Sequence, residues 1–367
     1  MDRIHGSLLG KCIGLNLGQP VEGWSKQQIE EEAKRVVFYP VVYYFPADFK
    51  TPYPGTLQGK FDHFLANDDT DLMTVSMLTL REYGIYFTPR QLADKWVRHV
   101  KFACTAEGVA LHNFKRDIWP PESAVVDNPY EQWIGAQMRA DIWGMIAPGL
   151  PQKAAEFALR DASISHVRNG IYGAQYVAAM VSLAMTQKDV KNLVLEALKV
   201  IPEHCEYAIA VRDVISWHEA GYDWQKTWRL LDDRYGWNDD GVRRGGFVED
   251  RFNTVKGLYQ WENMRWVHVM PNGAACVLAL LYGEGDFTKS ICLATMCGYD
   301  ADCNAGTVGG IIGAMHGQAA IPSKWKDPLN DRFKNGLKNC ENEMKISDMA
   351  REISGFAQQV NASHAQR

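Results

Sequence analysis

No stretch of about 18 apolar residues runs through this 367-residue chain, so a membrane-spanning helix is excluded. The first twenty residues lack the unbroken apolar core of a signal peptide, because Lys11 and Asn16 interrupt it. No block of like charge occurs. The formal net charge of -5 gives no reason to expect nucleic acid or an acidic membrane as partner. The eight cysteines form no CxxC pair, which points to reduced thiols in a cytoplasm rather than a disulfide framework. Alternating strand patterns are almost absent, and no fixed-period repeat or low-complexity linker marks a boundary. A single domain over 1–367 is therefore expected.

What remains is ordinary globular composition, 46% hydrophobic and 23% charged, with helical periodicity dominating. The pattern predicts helices over Ser25 to Arg35, from about Leu72 to Gly84, and over Pro89 to Phe102, Glu131 to Gly144 and Gln152 to Ala162. Further helices are expected over Gly170 to Met185, Val190 to Lys199, Glu203 to Ala220 and Asp223 to Arg234. This is an all-α class, a compact multi-helix bundle with at most a small β piece near Val36 to Phe45. Pro40, Pro46, Pro52 and Pro54 make 36–62 an ordered loop over the core, and the charged, Gly-rich stretch 235–260 reads as a surface excursion.

Two segments stand out by their small residues. Gly6, Gly10, Gly14 and Gly18 recur every fourth position, and Ala305 to Met315 contains Gly306, Gly309, Gly310 and Gly313. Each interior glycine weakens a helix by roughly 1 kcal/mol relative to alanine, so such stripes argue for helices packed backbone to backbone. The spacing pairs Gly306 with Gly310 and Gly309 with Gly313.

Acids gather where two helices begin. Asp300 and Asp302 precede the second stripe, and Asn67-Asp68-Asp69 precede another helix. Capping and the helix dipole account for one acid at each start but do not need Asn67, Asp68 and Asp69 side by side. Were the two starts adjacent, four carboxylates would repel one another unless cations were present. Two divalent ions would neutralise them, and oxygen ligands suit Mg²⁺, Mn²⁺ or Ca²⁺ rather than Zn²⁺. Glu22 follows the first stripe in the turn VEGW, where a lone Glu is ordinarily just solvated.

The order GSLLGKCIGLNLGQPVEG, NDDTD and GYDADCNAGTVGGIIGAMHG resembles the three-motif pattern of the ADP-ribosylglycohydrolase family. AEFALRDASISHVRNGIYGAQYVAA and ACVLALLYGEGDFTKSICLATMCGYD are also similar to the helical stretches between those motifs. The resemblance implies a compact all-α glycoside hydrolase with two metal ions, Mg²⁺ first and Mn²⁺ second. It places Asp68, Asp69, Asp300 and Asp302 as metal ligands and Glu22 beside the metal centre as the group for proton transfer, with Asp302 as a second catalytic residue. Asn67 and Cys303 stand where the family usually has Thr and Thr or Ser. They are carried as further ligands, although a neutral thiol suits a hard cation poorly.

The implied reaction releases ADP-ribose from a protein or a smaller ribosyl-containing acceptor. A metal-dependent glycosidase acting on another nucleoside or glycoside is the alternative. A non-enzymatic, crystallin-like member is a third reading. Cys297 and Cys303 bracket the acids, but the five residues between them are not the spacing of a zinc site. His166 is assigned a packing or capping role as readily as a substrate contact.

Overall fold

The computed structural model describes residues 1–236 and 265–366. It contains seventeen α-helices among the described residues. In chain order they are α1 (Asp2–Gly18), α2 (Lys26–Arg35), α3 (Asp68–Tyr83), α4 (Pro89–His99), α5 (Thr105–Lys115) and α6 (Gly135–Met138). Next come α7 (Asp141–Met145), α8 (Pro151–Ala162), α9 (Asn169–Ala184), α10 (Val190–Ala197), α11 (Glu206–Glu219) and α12 (Trp224–Tyr235). The last are α13 (Val269–Gly283), α14 (Phe287–Met296), α15 (Ala301–His316), α16 (Ser323–Lys326) and α17 (Ile346–Ala365). From position 237 on, the stretch expected as an excursion over 235–260 lies outside the described residues.

The glycine stripes build the centre. A Cβ on Gly6, Gly10, Gly14 or Gly18 would overlap the backbone carbonyl of Gly313, Gly309, Ala305 or Ala301 respectively. This four-step ladder sets α1 antiparallel to α15 at the closest approach two helices allow. The register differs in detail from the sequence expectation. Positions 301, 305, 309 and 313 meet the α1 backbone most closely and Gly306 meets the Leu15 side chain of α1, whereas a Cβ on Gly310 would first meet the Asp141 carboxylate at 2.7 Å. Both helices are buried nearly end to end, and α13 and α14 cover the outer face of α15.

The β piece expected near Val36 to Phe45 is not formed. That stretch is an irregular loop in which Tyr44 is buried and donates its hydroxyl to Trp325 O at 2.9 Å. Pro40 and Pro46 bracket the segment and supply no backbone N–H for a ladder, so the tyrosines anchor the loop instead. The sheet lies elsewhere, Arg332–Lys334 antiparallel to Glu343–Lys345. Phe64 bonds to both sides of Phe333, through Phe64 N to Arg332 O and Lys334 N to Phe64 O. This fixes the chain just before Asn67.

One expected helix is two. Glu131 to Gly144 divides into α6 and α7, and Arg139 between them turns inward to Glu107 and Asp161 with its side chain fully buried. Periodicity alone does not mark α5, α13, α14, α16 or α17; the resemblance alone pointed to helix over the stretch of α13 and α14.

Candidate active site

The ladder delivers both acidic starts to one place. At the end of α1 a short 3₁₀ turn, Gln19–Val21, carries the chain to Glu22, and Gly23 N donates to Tyr299 O at 2.9 Å. The exit of α1 is thereby stitched to the turn that precedes α15. Gly298 (φ +76°) is pressed against Trp24 O, where no side chain would fit.

Capping does not explain the acids. The cap of α3 is Asn67, whose side chain accepts from Asp69 N at 3.0 Å, and Asp300 at the start of α15 makes no side-chain cap bond. The Asn67 amide also donates to Asp302 Oδ2 at 2.9 Å, so the two helix starts touch directly. Asp302 is buried, and its other oxygen, Oδ1, has no hydrogen-bond partner. The backbone of Asp300 is held by Asn272 Oδ1 at 3.0 Å, and Asn272 in turn accepts from the Asn304 amide at 2.7 Å.

These side chains floor a cavity of about 390 Å³. Glu22, Asp68, Asp71, Asp300, Asp302, Cys303 and Glu107 contribute the polar wall, and Val100, Phe102, Trp133, Ile134, Val267 and Leu337 the apolar one. Lys101 is the only basic side chain among the described residues that line it. Sequence reasoning missed Asp71, Glu107 and Lys101. Asp71 stands one turn into α3 and accepts from Gly336 N at 3.0 Å, a contact made across 265 positions.

The electrostatics are those of an under-neutralised cluster. Burial, then the charges of Asp302 and Asp68, push the Glu22 carboxyl well above its ordinary range, against a smaller downward pull from the neighbouring Tyr53 hydroxyl. Asp68 opens into the cavity, and the loss of bulk solvation at the cleft floor followed by the Asp302 charge raises it to about 6. Asp300 is pushed up by burial, Asp302 and Glu22. Burial and the charges of Asp300 and Asp69 keep the Cys303 thiol neutral. It points its Sγ at Asp69 Oδ2, 3.2 Å away.

Asp69, Asp302 and Cys303 can bring one ligand atom each within 4.8 Å of one another, all buried. A divalent cation fits the acidic wall of the cavity on two observations. Asp302 Oδ1 is an orphaned buried carboxylate oxygen, and the raised carboxyls owe part of their shift to one another.

The residue that no motif flagged is Lys11 in α1, with its side chain at 0% exposure. Its ammonium donates to Asp69 Oδ1 at 3.1 Å and to Met138 O at 2.7 Å, and lies 2.9 Å from Asp141 Oδ2. Burial pushes the Asp69 carboxyl upward, and the Lys11 charge pulls it back down. The only sequence signal was a lysine inside a stripe that is otherwise small and apolar.

His166 takes the packing role. Its ring is fully buried, Nδ1 bonds the Ser165 hydroxyl at 2.8 Å, and burial lowers its pKa well below the ordinary value.

A family model described as ADP-ribosylglycohydrolase matches residues 1–360. A solved structure titled "ADP-ribosylglycohydrolase-related protein complex" is similar in fold, with a TM-score of 0.59 over 97% of each chain and 19% sequence identity. No curated protein matches.

Proposed function

The chain belongs to the ADP-ribosylglycohydrolase family, and from that premise we propose that it is a divalent-metal-dependent hydrolase of ribosyl glycosidic bonds, with an ADP-ribosyl conjugate as substrate. The observation that carries this reading is the meeting of two acidic helix starts and Glu22 on one cavity floor, with Asp302 Oδ1 left without a partner. Asp68, Asp300 and Asp302 would hold metal there. A bound divalent ion supplies Lewis acidity and a fixed place for ribose hydroxyls and a water.

The protein's own groups do the rest. Asn67 fixes the Asp302 carboxylate through Oδ2, which leaves Oδ1 without a hydrogen-bond partner. Glu22, oriented by the Tyr53 hydroxyl, is placed to exchange a proton with the reacting oxygen, a role worth about 10² to 10⁴ in rate. Cleavage at an anomeric carbon passes through an oxocarbenium-like transition state, and the surrounding carboxylates stabilise its positive charge. The apolar wall, with Phe102 and Trp133, offers flat surfaces to a ring and excludes water.

One observation favours a second reading, a ribosyl glycoside without a pyrophosphate. Among the described residues the cavity wall carries six carboxylate side chains and a single lysine, which is poor complementarity for a diphosphate. Turnover of ADP-ribosyl conjugates of amino-acid side chains should be measured against nucleosides and simple ribosides, each with Mg²⁺, Mn²⁺ and chelator. Release of ADP-ribose in a metal-dependent manner supports the first reading. Turnover of nucleosides alone supports the second, and no turnover of either removes both.

A further inference from the structure

Lys11 and Asp69 divide the acidic cluster into two unlike halves. Asp68, Asp300 and Asp302 face the cavity, whereas Asp69, the neighbour of Asp68 on α3, is not part of its wall and is wholly buried. Both oxygens of Asp69 already have donors. Oδ1 takes the Lys11 ammonium and Oδ2 takes the Cys303 thiol. The ammonium in turn has three donors and three oxygens about it within 3.1 Å, from Asp69, Asp141 and Met138.

The arrangement is built. Lys11 projects from α1, whose position is fixed by the glycine ladder, and Asp141 reaches it through the space left at Gly310, where a Cβ would lie 2.7 Å from Asp141 Oδ1. By contrast, Asp302 Oδ1 has no donor. Both oxygens of Asp69 are thus bonded, while the cavity side keeps a buried carboxylate oxygen with no donor.

We propose that the Lys11 ammonium occupies the cation position of the Asp69 half of this cluster, so that the chain takes one divalent ion, at Asp68, Asp300 and Asp302, rather than two. This rests on the reading of the cavity as a metal centre and changes its stoichiometry. A compact ammonium does for Asp69 what a second ion would otherwise do, and it cannot be removed by a chelator.

The test counts ions rather than turnover. Metal-stripped full-length protein is titrated with Mn²⁺, with bound metal measured by calorimetry and elemental analysis and its environment by electron paramagnetic resonance. One equivalent with the spectrum of an isolated Mn²⁺ is expected. Two equivalents with a spin-coupled spectrum overturn the inference and leave the metal centre standing, whereas no bound Mn²⁺ overturns both.

Two variants locate the cause. Asp69→Asn is expected to keep the single equivalent with a dissociation constant changed by no more than about threefold, while Asp68→Asn loses it. Loss of Mn²⁺ in Asp69→Asn makes Asp69 a ligand and overturns the proposal. The double variant Lys11→Met/Asp141→Asn removes one charge of each sign, leaves Asp69 as the one carboxylate without its cation, and is expected to gain a second equivalent. A folded double variant that still binds one ion shows that Lys11 is not what excludes the second.

Discussion

Gly10 and Gly309 meet backbone to backbone: a Cβ on either would overlap the carbonyl of the other. No side-chain movement relieves that overlap, since the obstacle is main chain on both sides. Gly309→Ala is expected to destabilise the protein by about 1 to 3 kcal/mol or more, read from chemical denaturation. Gly355 in α17 is the contrast, because nothing lies within 4 Å of its would-be Cβ. There the helix-propensity gain is unopposed, and Gly355→Ala should stabilise by about 0.5 to 1 kcal/mol. Equal effects at the two sites would show that the ladder is not as tight as described.

Asp302→Asn is expected to release the divalent ion while leaving the fold intact. The substitution keeps the shape, but the orphaned Oδ1 loses its charge. Metal content after gel filtration is the measurement, with full retention in the variant removing Asp302 from the centre.

Glu22→Gln should lower turnover at least tenfold with metal content nearly unchanged, the lower end of what a proton-transfer group contributes being about 10². The comparison is kcat on the substrate identified by the panel. Wild-type kcat in the variant would remove Glu22 from the mechanism.

Without metal, stability is expected to fall as pH rises from about 4 to 6. Asp68 and Asp71 both titrate near 6 in the folded chain, against an ordinary value of 3.8. The folded state therefore binds protons more tightly than the unfolded one across that window, and linkage makes the slope of stability against pH negative. Glu22 and Asp300 shift in the same direction and extend the loss to higher pH. Saturating Mn²⁺ should flatten the slope and raise Tm at neutral pH. A Tm that rises with pH in chelator would contradict the charge state assigned to the floor.

The sequence showed a good part of this. Each glycine stripe could be read as a closely packed helix because only close helix packing makes four glycines in a helix worthwhile, and three motifs in order carried the resemblance to the family. The register of the stripe was out of reach, since nothing local tells whether Gly310 faces a helix or a carboxylate 169 positions away. The inward turn of Arg139 between α6 and α7 was out of reach too, because its partners Glu107 and Asp161 are distant in sequence. Lys11 was hidden for a related reason. A lysine on a small-residue stripe has no periodic signature of burial, and its partners Asp69 and Asp141 come from two other helices. The β piece was misplaced because aromatic, apolar composition near Val36 to Phe45 serves a loop anchored by tyrosine hydroxyls as well as it serves a strand.

The pairing of α1 with α15 also sets a timetable for biosynthesis. Gly18 emerges from the ribosome roughly 280 residues before Ala301, which at about 5 to 20 residues per second leaves α1 without its partner for about 15 to 60 s. Alone, a glycine-rich helix of this length is marginal in water, so α1 acquires its shape only when α15 arrives. The acidic floor is completed in the same step, because the Gly23 N to Tyr299 O bond joins the segments that carry Glu22 and Asp300 at the end of that ladder. A chain released before α15 is made has neither its central helix pair nor a place for metal, and its expected fate is recognition as unfolded by the cell's quality control.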